Sequence, residues 1–194
     1  MMQTVEHHPL EPFIPDSARL LMLGAFPPKK EKWSMDFFYP NFINDMWRIF
    51  GYILHDDKDF FVNQSEKTFD KDMLVEMLTE LGIALGDTAK SVVRLKDNAS
   101  DKFLQVEEAI DIHSMIDKLP TCVAIATTGE KAASVLASIT ASELPKVGSY
   151  VELHFPDDRI LRHYRMPSSS RAYPMKVEKK AEYYRQMLRE LGII

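Results

Sequence analysis

Residues 18–24 read Ala-Arg-Leu-Leu-Met-Leu-Gly, a short apolar run that ends at a glycine. A run of this length without a polar face is typical of a strand buried in a parallel sheet. Residues 121–126, Thr-Cys-Val-Ala-Ile-Ala, form a second run of this kind, and residues 127–129 predict a turn after it. The two runs indicate the central strands of an α/β fold.

The segments around these strands show the spacing of amphipathic helices. Apolar residues recur at helical intervals over 41–54, 71–81, 106–119, 131–139 and 177–191. Because one face of each segment is apolar and the other is polar, each is predicted to be a helix that packs against the sheet. Strands that alternate with such helices predict parallel pairing, since a helix must carry the chain back before the next strand.

A turn-forming sequence, Pro156-Asp157-Asp158, separates two more strand candidates. These cover 150–155 and 159–164 and are predicted to form a hairpin or two successive strands. The elements together predict a three-layer α/β/α fold with a central, mainly parallel sheet of about four strands or slightly more. We expect residues 1–194 to form a single domain, and 176–194 to contribute its C-terminal helix.

Composition excludes several classes of protein. The net charge of −5 argues against binding nucleic acid through bulk charge, although it leaves room for a local basic face. The single cysteine, Cys122, excludes an internal disulfide framework and a cysteine-rich metal site. No run approaches the ~20 apolar residues of a membrane span. We therefore expect a cytoplasmic protein without a membrane segment.

Two loops are expected to leave the carboxyl ends of strands, where α/β sheets bind their ligands. In the first loop, residues 24–28 read Gly-Ala-Phe-Pro-Pro and residues 37–47 read Phe-Phe-Tyr-Pro-Asn-Phe-Ile-Asn-Asp-Met-Trp. The second loop, residues 166–171, reads Met-Pro-Ser-Ser-Ser-Arg. Their convergence on one edge of the sheet is the first indication of a functional site.

Together these loops resemble the motifs of the uracil-DNA glycosylase superfamily, most closely its mismatch-specific thymine/uracil and hypoxanthine-type branches. In those branches a Gly-x-x-Pro loop follows a strand, and an aromatic segment leads to a Pro…Asn…Trp helix start. Residues 166–170 resemble the second motif of thymine-DNA glycosylases. Residues 82–87, 98–101 and 128–132 lie where the family has comparable segments, so the resemblance covers about residues 18–175.

The resemblance implies a monofunctional DNA glycosylase of base excision repair. Such an enzyme flips a damaged or mismatched base out of double-stranded DNA and hydrolyses its N-glycosidic bond. The base would be uracil, thymine or hypoxanthine. The resemblance implies no metal and no cofactor, DNA as the partner, and a protein that acts as a monomer.

The resemblance also places the catalytic residue. Better-known branches have Asp or Asn at the third position of the first motif, where this chain has Phe26. The hypoxanthine-type branch takes its catalytic Asn from the Pro…Asn…Trp segment, which corresponds to Asn44 when counted back from Trp47. Asn41 is the alternative, because two extra residues separate Pro40 from Asn44. An amide can hold a water, but Asn is also a preferred helix N-cap.

Aromatic and serine residues supply the other predicted contacts. We expect Phe26 to line the base pocket and Phe38 to stack on the flipped base, with core packing as the alternative. Serine hydroxyls and amides can hold phosphates, while Arg171 can enter the gap left by the nucleotide or contact the opposite strand. The predicted DNA-binding residues are Met166, Pro167, Ser168, Ser169, Ser170 and Arg171.

Charged clusters and a second function complete the predictions. Lysines within 29–32 and 176–180 could form basic faces, and solvated surface is the alternative for both. Asp36, Asp45 and Asp87 are candidate auxiliary carboxylates, with surface or capping roles as the alternative. A second hypothesis is a catalytically impaired nucleic-acid- or nucleotide-binding module on the same fold. The net charge of −5 favours it, as does Phe26 at a motif position where other branches have a polar residue.

Overall fold

The computed structural model describes residues 4–95 and 100–194. The helices are α1 (Met46–His55), α2 (Lys71–Leu81), α3 (Ile112–Asp117), α4 (Glu130–Ile139) and α5 (Val177–Glu190). The strands are β1 (Val5–His7), β2 (Leu20–Gly24), β3 (Val62–Asn63), β4 (Thr68–Phe69), β5 (Ile83–Asp87), β6 (Ala89–Arg94), β7 (Leu104–Ala109), β8 (Ala124–Thr128), β9 (Tyr150–His154) and β10 (Ile160–Met166). Within the described ranges, no helix is both long enough and apolar enough to cross a membrane.

The predicted mainly parallel sheet is confirmed. Its strand order is β5-β2-β8-β10-β9, and the first four strands are parallel while β9 pairs antiparallel with β10. The predicted hairpin is present, with Ile160 opposite His154 and Tyr164 opposite Tyr150. The sheet has five strands because the segment after Gly82, which ends α2 in the left-handed conformation, forms β5 beside β2.

Alternate side chains of β2 enter two different hydrophobic clusters, as expected for a strand buried on both faces. Leu20 and Met22 belong to a cluster that also contains side chains from α1, α2 and α5. Leu21 and Leu23 belong to a second cluster, which contains side chains from α3 and α4. Helices therefore cover apolar side chains from both faces, a distribution that supports the predicted three-layer arrangement.

A second, antiparallel sheet of order β1-β6-β7 adjoins the central one. Only Thr88 separates β5 from β6, so the chain passes directly from the carboxyl end of a central strand into this sheet. β1 pairs with β6, which brings the amino-terminal segment alongside the same edge. The second sheet thus places residues from the start of the chain next to the loop that follows β2.

The predicted helix over 106–119 is wrong. This stretch contains the end of β7, which pairs with β6, and the shorter helix α3. The carboxylate of Asp111 accepts a hydrogen bond from the Ser114 backbone N–H at 3.0 Å, so α3 begins at Ile112. Apolar spacing had favoured one continuous helix, but strand pairing and this cap divide the segment.

Smaller differences affect the boundaries of other elements. The helix predicted over 41–54 begins at Met46, because residues 41–44 form a turn in which the Asn44 N–H donates to the Asn41 carbonyl at 2.8 Å. Thr127 and Thr128 belong to β8, so the turn predicted over 127–129 is reduced to Gly129. The helix predicted over 71–81 is confirmed without change.

Candidate active site

The carboxyl ends of the parallel strands bring four positions to one edge of the sheet. Gly24 at the end of β2 is opposite Asp87 at the end of β5. Met166 at the end of β10 is opposite Thr128 at the end of β8. Both loops identified in the sequence leave this edge, which is where sheets of this type bind ligands.

The two loops are in direct contact. The Asp45 backbone N–H donates to the Ser169 carbonyl at 2.9 Å. A guanidinium nitrogen of Arg171 lies 3.3 Å from Oδ1 of Asp45. Asn44 directly precedes Asp45, so the residue predicted to be catalytic is adjacent in the chain to a contact with the serine loop, which we define as residues 167–171.

Asn44 is half-buried and caps the start of α1 from one position ahead of Asp45. Its Oδ1 accepts a hydrogen bond from the Met46 N–H at 2.9 Å. Arg48 donates to the carbonyl of Asn44 at 3.0 Å and to that of Phe42 at 2.6 Å, which holds the turn in place. The amide oxygen therefore binds the first N–H of α1, although Asp45 rather than Asn44 occupies the N-cap position. The oxygen retains a second lone pair for a water.

Asn41 lies in the same turn, but its side chain bonds to a residue within the turn rather than to the start of α1. Its Oδ1 accepts from the Ile43 N–H at 3.2 Å, and its side chain is half-buried. Among the described residues, the hydrogen bonds between this part of the chain and the serine loop are made by Asp45 and not by Asn41. The contact is therefore made directly after Asn44 and four residues after Asn41.

Phe26 and Phe38, the predicted base-binding residues, both contact His8. Their ring centroids lie 5.2 and 6.3 Å from that of the imidazole, with Phe26 in an edge-to-face arrangement. Phe26 is 9% exposed and Phe38 is 4% exposed, so both are buried in this conformation. A base can reach them only if neighbouring side chains move. Phe37 packs parallel to Trp47 at 6.0 Å and belongs to the core.

His8 is a functional candidate that the sequence analysis missed, because it has no partner at a recognisable spacing. Its Nε2 lies 2.6 Å from Oδ2 of Asp87, and its Nδ1 lies 3.0 Å from the Leu10 carbonyl. The imidazole is therefore anchored at both nitrogens. Burial raises the pKa of Asp87, while the bond to His8 and the nearby Gly24 backbone act in the opposite direction.

Gly24 allows these groups to approach the end of β2. A Cβ atom at this position would lie 2.5 Å from Oδ1 of Asp87 and 3.4 Å from the Tyr39 hydroxyl. The Tyr39 hydroxyl is also 3.1 Å from Oγ1 of Thr128, and burial raises the pKa of Tyr39. Only glycine leaves room for the Asp87 carboxylate here, since the other oxygen of that carboxylate is held by His8.

Arg94 and Asp101 surround the same region. Arg94 donates from Nε to both carboxylate oxygens of Glu6, at 2.9 and 3.0 Å, and from Nη2 to the Pro27 carbonyl at 2.7 Å. It thereby fixes the first loop from the second sheet. Burial, followed by the charge of Asp87, raises the pKa of Asp101 to about 6. Of the family-like stretch 98–101, residues 98 and 99 lie outside the described part of the chain.

The raised pKa of Asp101 predicts a pH-dependent stability. Between its ordinary value of 3.8 and about 6, the folded protein binds this proton more tightly than the unfolded chain does. The free energy of unfolding therefore decreases as pH rises through that window. We expect Asp101→Asn to match the wild type near pH 4 and to be more stable, on the order of 1 kcal/mol, above pH 6.5. Thermal unfolding of both proteins across this pH range would measure the difference, and a constant difference would contradict the assignment.

The serine loop divides into a buried and an exposed part. Met166 belongs to β10 and is buried, as are Pro167 and Ser169, so their side chains are not on the surface. Ser168 is half-buried, and its Oγ accepts from the Ser170 N–H at 3.1 Å. Ser170 and Arg171 are exposed. The exposed surface of this loop therefore consists of the partly or fully exposed residues 168, 170 and 171.

The remaining charged candidates have separate surroundings. Asp36 is exposed and pairs with Lys30 at 2.6 Å, and this bond lowers its pKa. Asp45 and Asp87 are both buried in the site described above. Lys180 is fully buried, so the alternative interpretation of this lysine as part of a solvated surface is wrong.

Two surface clefts lie away from the predicted site residues. One runs along α5 and the other lies between the end of α1 and α2, and neither is lined by a predicted site residue.

Comparison with known proteins gives a match at the level of fold. No protein-family model and no curated protein matches the chain. Twenty-eight chains among solved structures match it. One is the solution NMR structure of "a putative Uracil DNA glycosylase from Methanosarcina acetivorans", with a TM-score of 0.62 and 20% sequence identity over 97% of this chain and 99% of that chain. The two proteins share a fold, and the match extends over nearly the whole of both chains.

Proposed function

We propose that this protein is a monofunctional DNA glycosylase that hydrolyses the N-glycosidic bond of a base flipped out of double-stranded DNA. The observation that carries the proposal is the hydrogen bond of 2.9 Å from the Asp45 N–H to the Ser169 carbonyl, which joins two motifs far apart in sequence. This bond supports the proposal because Asp45 directly follows the candidate water-binding Asn44, and Ser169 belongs to the candidate phosphate-binding loop. The fold shared with the protein described as "a putative Uracil DNA glycosylase" supports the same conclusion.

Asn44 would act by positioning water. In glycosidic hydrolysis the transition state carries positive charge on the sugar and negative charge on the departing base. The amide is neutral and cannot remove a proton, but its oxygen can orient a water toward the sugar carbon and stabilise the developing charge. Because the Met46 N–H holds this oxygen in place at 2.9 Å, little reorganisation is needed during the reaction.

The base would be bound at the end of β5. The Asp87 carboxylate can accept hydrogen bonds from ring N–H groups, which uracil, thymine and hypoxanthine all carry. Phe26 and Phe38 lie close to it through their shared contact with His8 and would provide the stacking surface. Their burial implies that the flipped base enters with a rearrangement of these rings, an opening step before chemistry.

DNA would be held by a small cationic region rather than by bulk charge. Arg171 is 51% exposed at its side chain. Burial, followed by the positive charge of Arg171, lowers the pKa of the Arg48 guanidinium. Exposed Ser170 and the amides of the serine loop can hydrogen-bond to phosphates. Because the protein as a whole has a net charge of −5, we expect its affinity for DNA to fall as the salt concentration rises, with a slope that corresponds to only a few phosphate contacts.

Excision assays test the proposal directly. Labelled duplexes that contain uracil, thymine opposite guanine, or hypoxanthine are incubated with the purified chain and then treated with alkali. We expect abasic product from at least one duplex, with strand cleavage only after the alkali step. Inactivity on all of them, with a protein shown to be folded, would contradict the proposal.

A catalytically impaired DNA-binding module is the second candidate. Phe26 replaces the polar residue that other branches have in the first motif, and both Phe26 and Phe38 are buried. Two results together would identify this alternative: tight binding to a duplex with an abasic-site analogue, and no base release from the duplexes that contain uracil, thymine or hypoxanthine.

A further inference from the structure

Lys180 is a buried lysine that enters the site from outside the segment that resembles the glycosylases. It lies on α5 and has no exposed surface. Its Nζ is 3.0 Å from Oδ2 of Asp45 and 2.8 Å from the Ser170 carbonyl. A buried ammonium group is costly unless it is paired and hydrogen-bonded, so the position of both partners is coupled to this side chain.

Asp45 connects this lysine to the candidate catalytic turn. Its side chain is 6% exposed and contacts Lys180 through one oxygen and Arg171 through the other. Its backbone N–H binds the Ser169 carbonyl, and the residue lies between Asn44 and the first residue of α1. One carboxylate therefore links the turn, the serine loop and α5.

A second residue of α5 holds the other end of the serine loop. Tyr184, one helical turn after Lys180, donates its hydroxyl to the Pro167 carbonyl at 2.8 Å. The loop is thus fixed to α5 at Pro167 and at Ser170. Half-buried Ser168 lies between these two points, and exposed Arg171 follows the second. The segment that would contact DNA is rigid where it meets the protein interior.

We propose that Lys180 is a positioning residue, which holds the serine loop at a fixed distance from Asn44 by joining the Ser170 carbonyl to the Asp45 carboxylate. The proposal rests on the proposed function, since the distance matters only if the loop places DNA for attack at the turn. A displacement of about 1 Å at such a site can reduce a rate by about two orders of magnitude. Lys180 would therefore affect the excision step without touching DNA.

A test must separate loop positioning from simple charge pairing. Lys180→Met removes both contacts and leaves the Asp45 carboxylate buried without its lysine, so a lower melting temperature is expected. Adding Asp45→Asn removes the carboxylate charge that Lys180 had paired, while the asparagine oxygen can still accept a hydrogen bond from Arg171. Methionine cannot donate to the Ser170 carbonyl, so the double variant regains stability without regaining the loop contact.

Two measurements on the full chain distinguish the roles. Amide hydrogen exchange over 168–172 should be about tenfold faster in the double variant, while exchange in β2 and β8 stays at the wild-type rate. The single-turnover excision rate at saturating DNA should fall about tenfold or more, with a smaller change in DNA affinity. Lys179→Met is the matched control, because Lys179 is exposed and pairs with Glu182 on the same helix.

Each result decides the proposal. A double variant with wild-type loop exchange and a wild-type excision rate would overturn it, as would a uniform acceleration of exchange throughout the sheet. If the wild-type protein excises no base, the proposed function fails, and faster exchange confined to the loop still supports the positioning contact.

Discussion

Replacing Asn44 with alanine is expected to slow base excision at saturating DNA by about 10²–10³-fold, the effect typical of losing one preorganised polar group at a reaction centre. The side chain is half-buried and its oxygen is held by the Met46 N–H, while the next residue, Asp45, contacts the serine loop. Single-turnover kinetics on the best substrate duplex would measure the rate. DNA affinity should change much less, because the predicted role is in the chemical step.

Capping must be separated from catalysis in this experiment. Loss of the cap costs about 1 kcal/mol, and Asn44→Ser restores an oxygen that can cap α1 without the reach of an amide. We expect the serine variant to regain stability and remain slow. Asn41→Ala, in the same turn, should retain the wild-type rate. A full rate for Asn44→Ala would refute the assignment, and a loss confined to Asn41→Ala would transfer the role to that residue.

Replacing His8 with leucine is expected to lower the free energy of unfolding by about 3 kcal/mol at pH 7, because it leaves the buried Asp87 carboxylate without its imidazole partner and with only the Gly24 backbone to stabilise its charge. The two side chains are 12% and 9% exposed and only 2.6 Å apart, so solvent cannot replace the lost contact easily. For a chain of this size, the melting temperature should fall by roughly 6–12 °C. The defect should shrink as pH falls, since protonation removes the uncompensated charge.

The neighbouring histidine supplies a matched control. His7→Leu alters an exposed side chain of β1 and should leave the melting temperature close to that of the wild type. Adding Asp87→Asn to His8→Leu should recover part of the loss by removing the buried charge. Equal melting temperatures for the His7 and His8 variants would show that the pair does not stabilise the fold.

Local sequence patterns predicted much of the fold. The helix over 71–81, the buried strand that ends at Gly24 and the hairpin around 156–158 are all present, because each depends on apolar spacing or turn residues within one short segment. The prediction of a helix over 106–119 was wrong because it too depended only on local apolar spacing. The apolar spacing of this segment fits a helix, but the pairing of β7 with β6, the preceding strand, outweighs that preference.

The candidate site was only partly predictable. The expectation that both loops leave the same edge follows from parallel strands, and the contact between Asp45 and Ser169 agrees with it. His8 had no recognisable spacing to any partner. Lys180 belongs to a cluster of lysines that is ordinarily solvated, yet it is fully buried. Neither residue carries a local signal, because each is defined by a carboxylate far away in the chain.

By itself, then, the sequence determined the helices α1, α2, α4 and α5, the buried strands β2 and β8 and the hairpin of β9 and β10, and that two polar loops follow strand ends. Those properties arise from neighbours within a few residues, where apolar spacing sets which face is removed from water. Only the tertiary structure decided which charges are paired: Asp87 with His8, and Asp45 with Lys180 and Arg171. Burial makes an unpaired charge costly, and the partner that relieves this cost is set by how the elements pack rather than by their order in the chain.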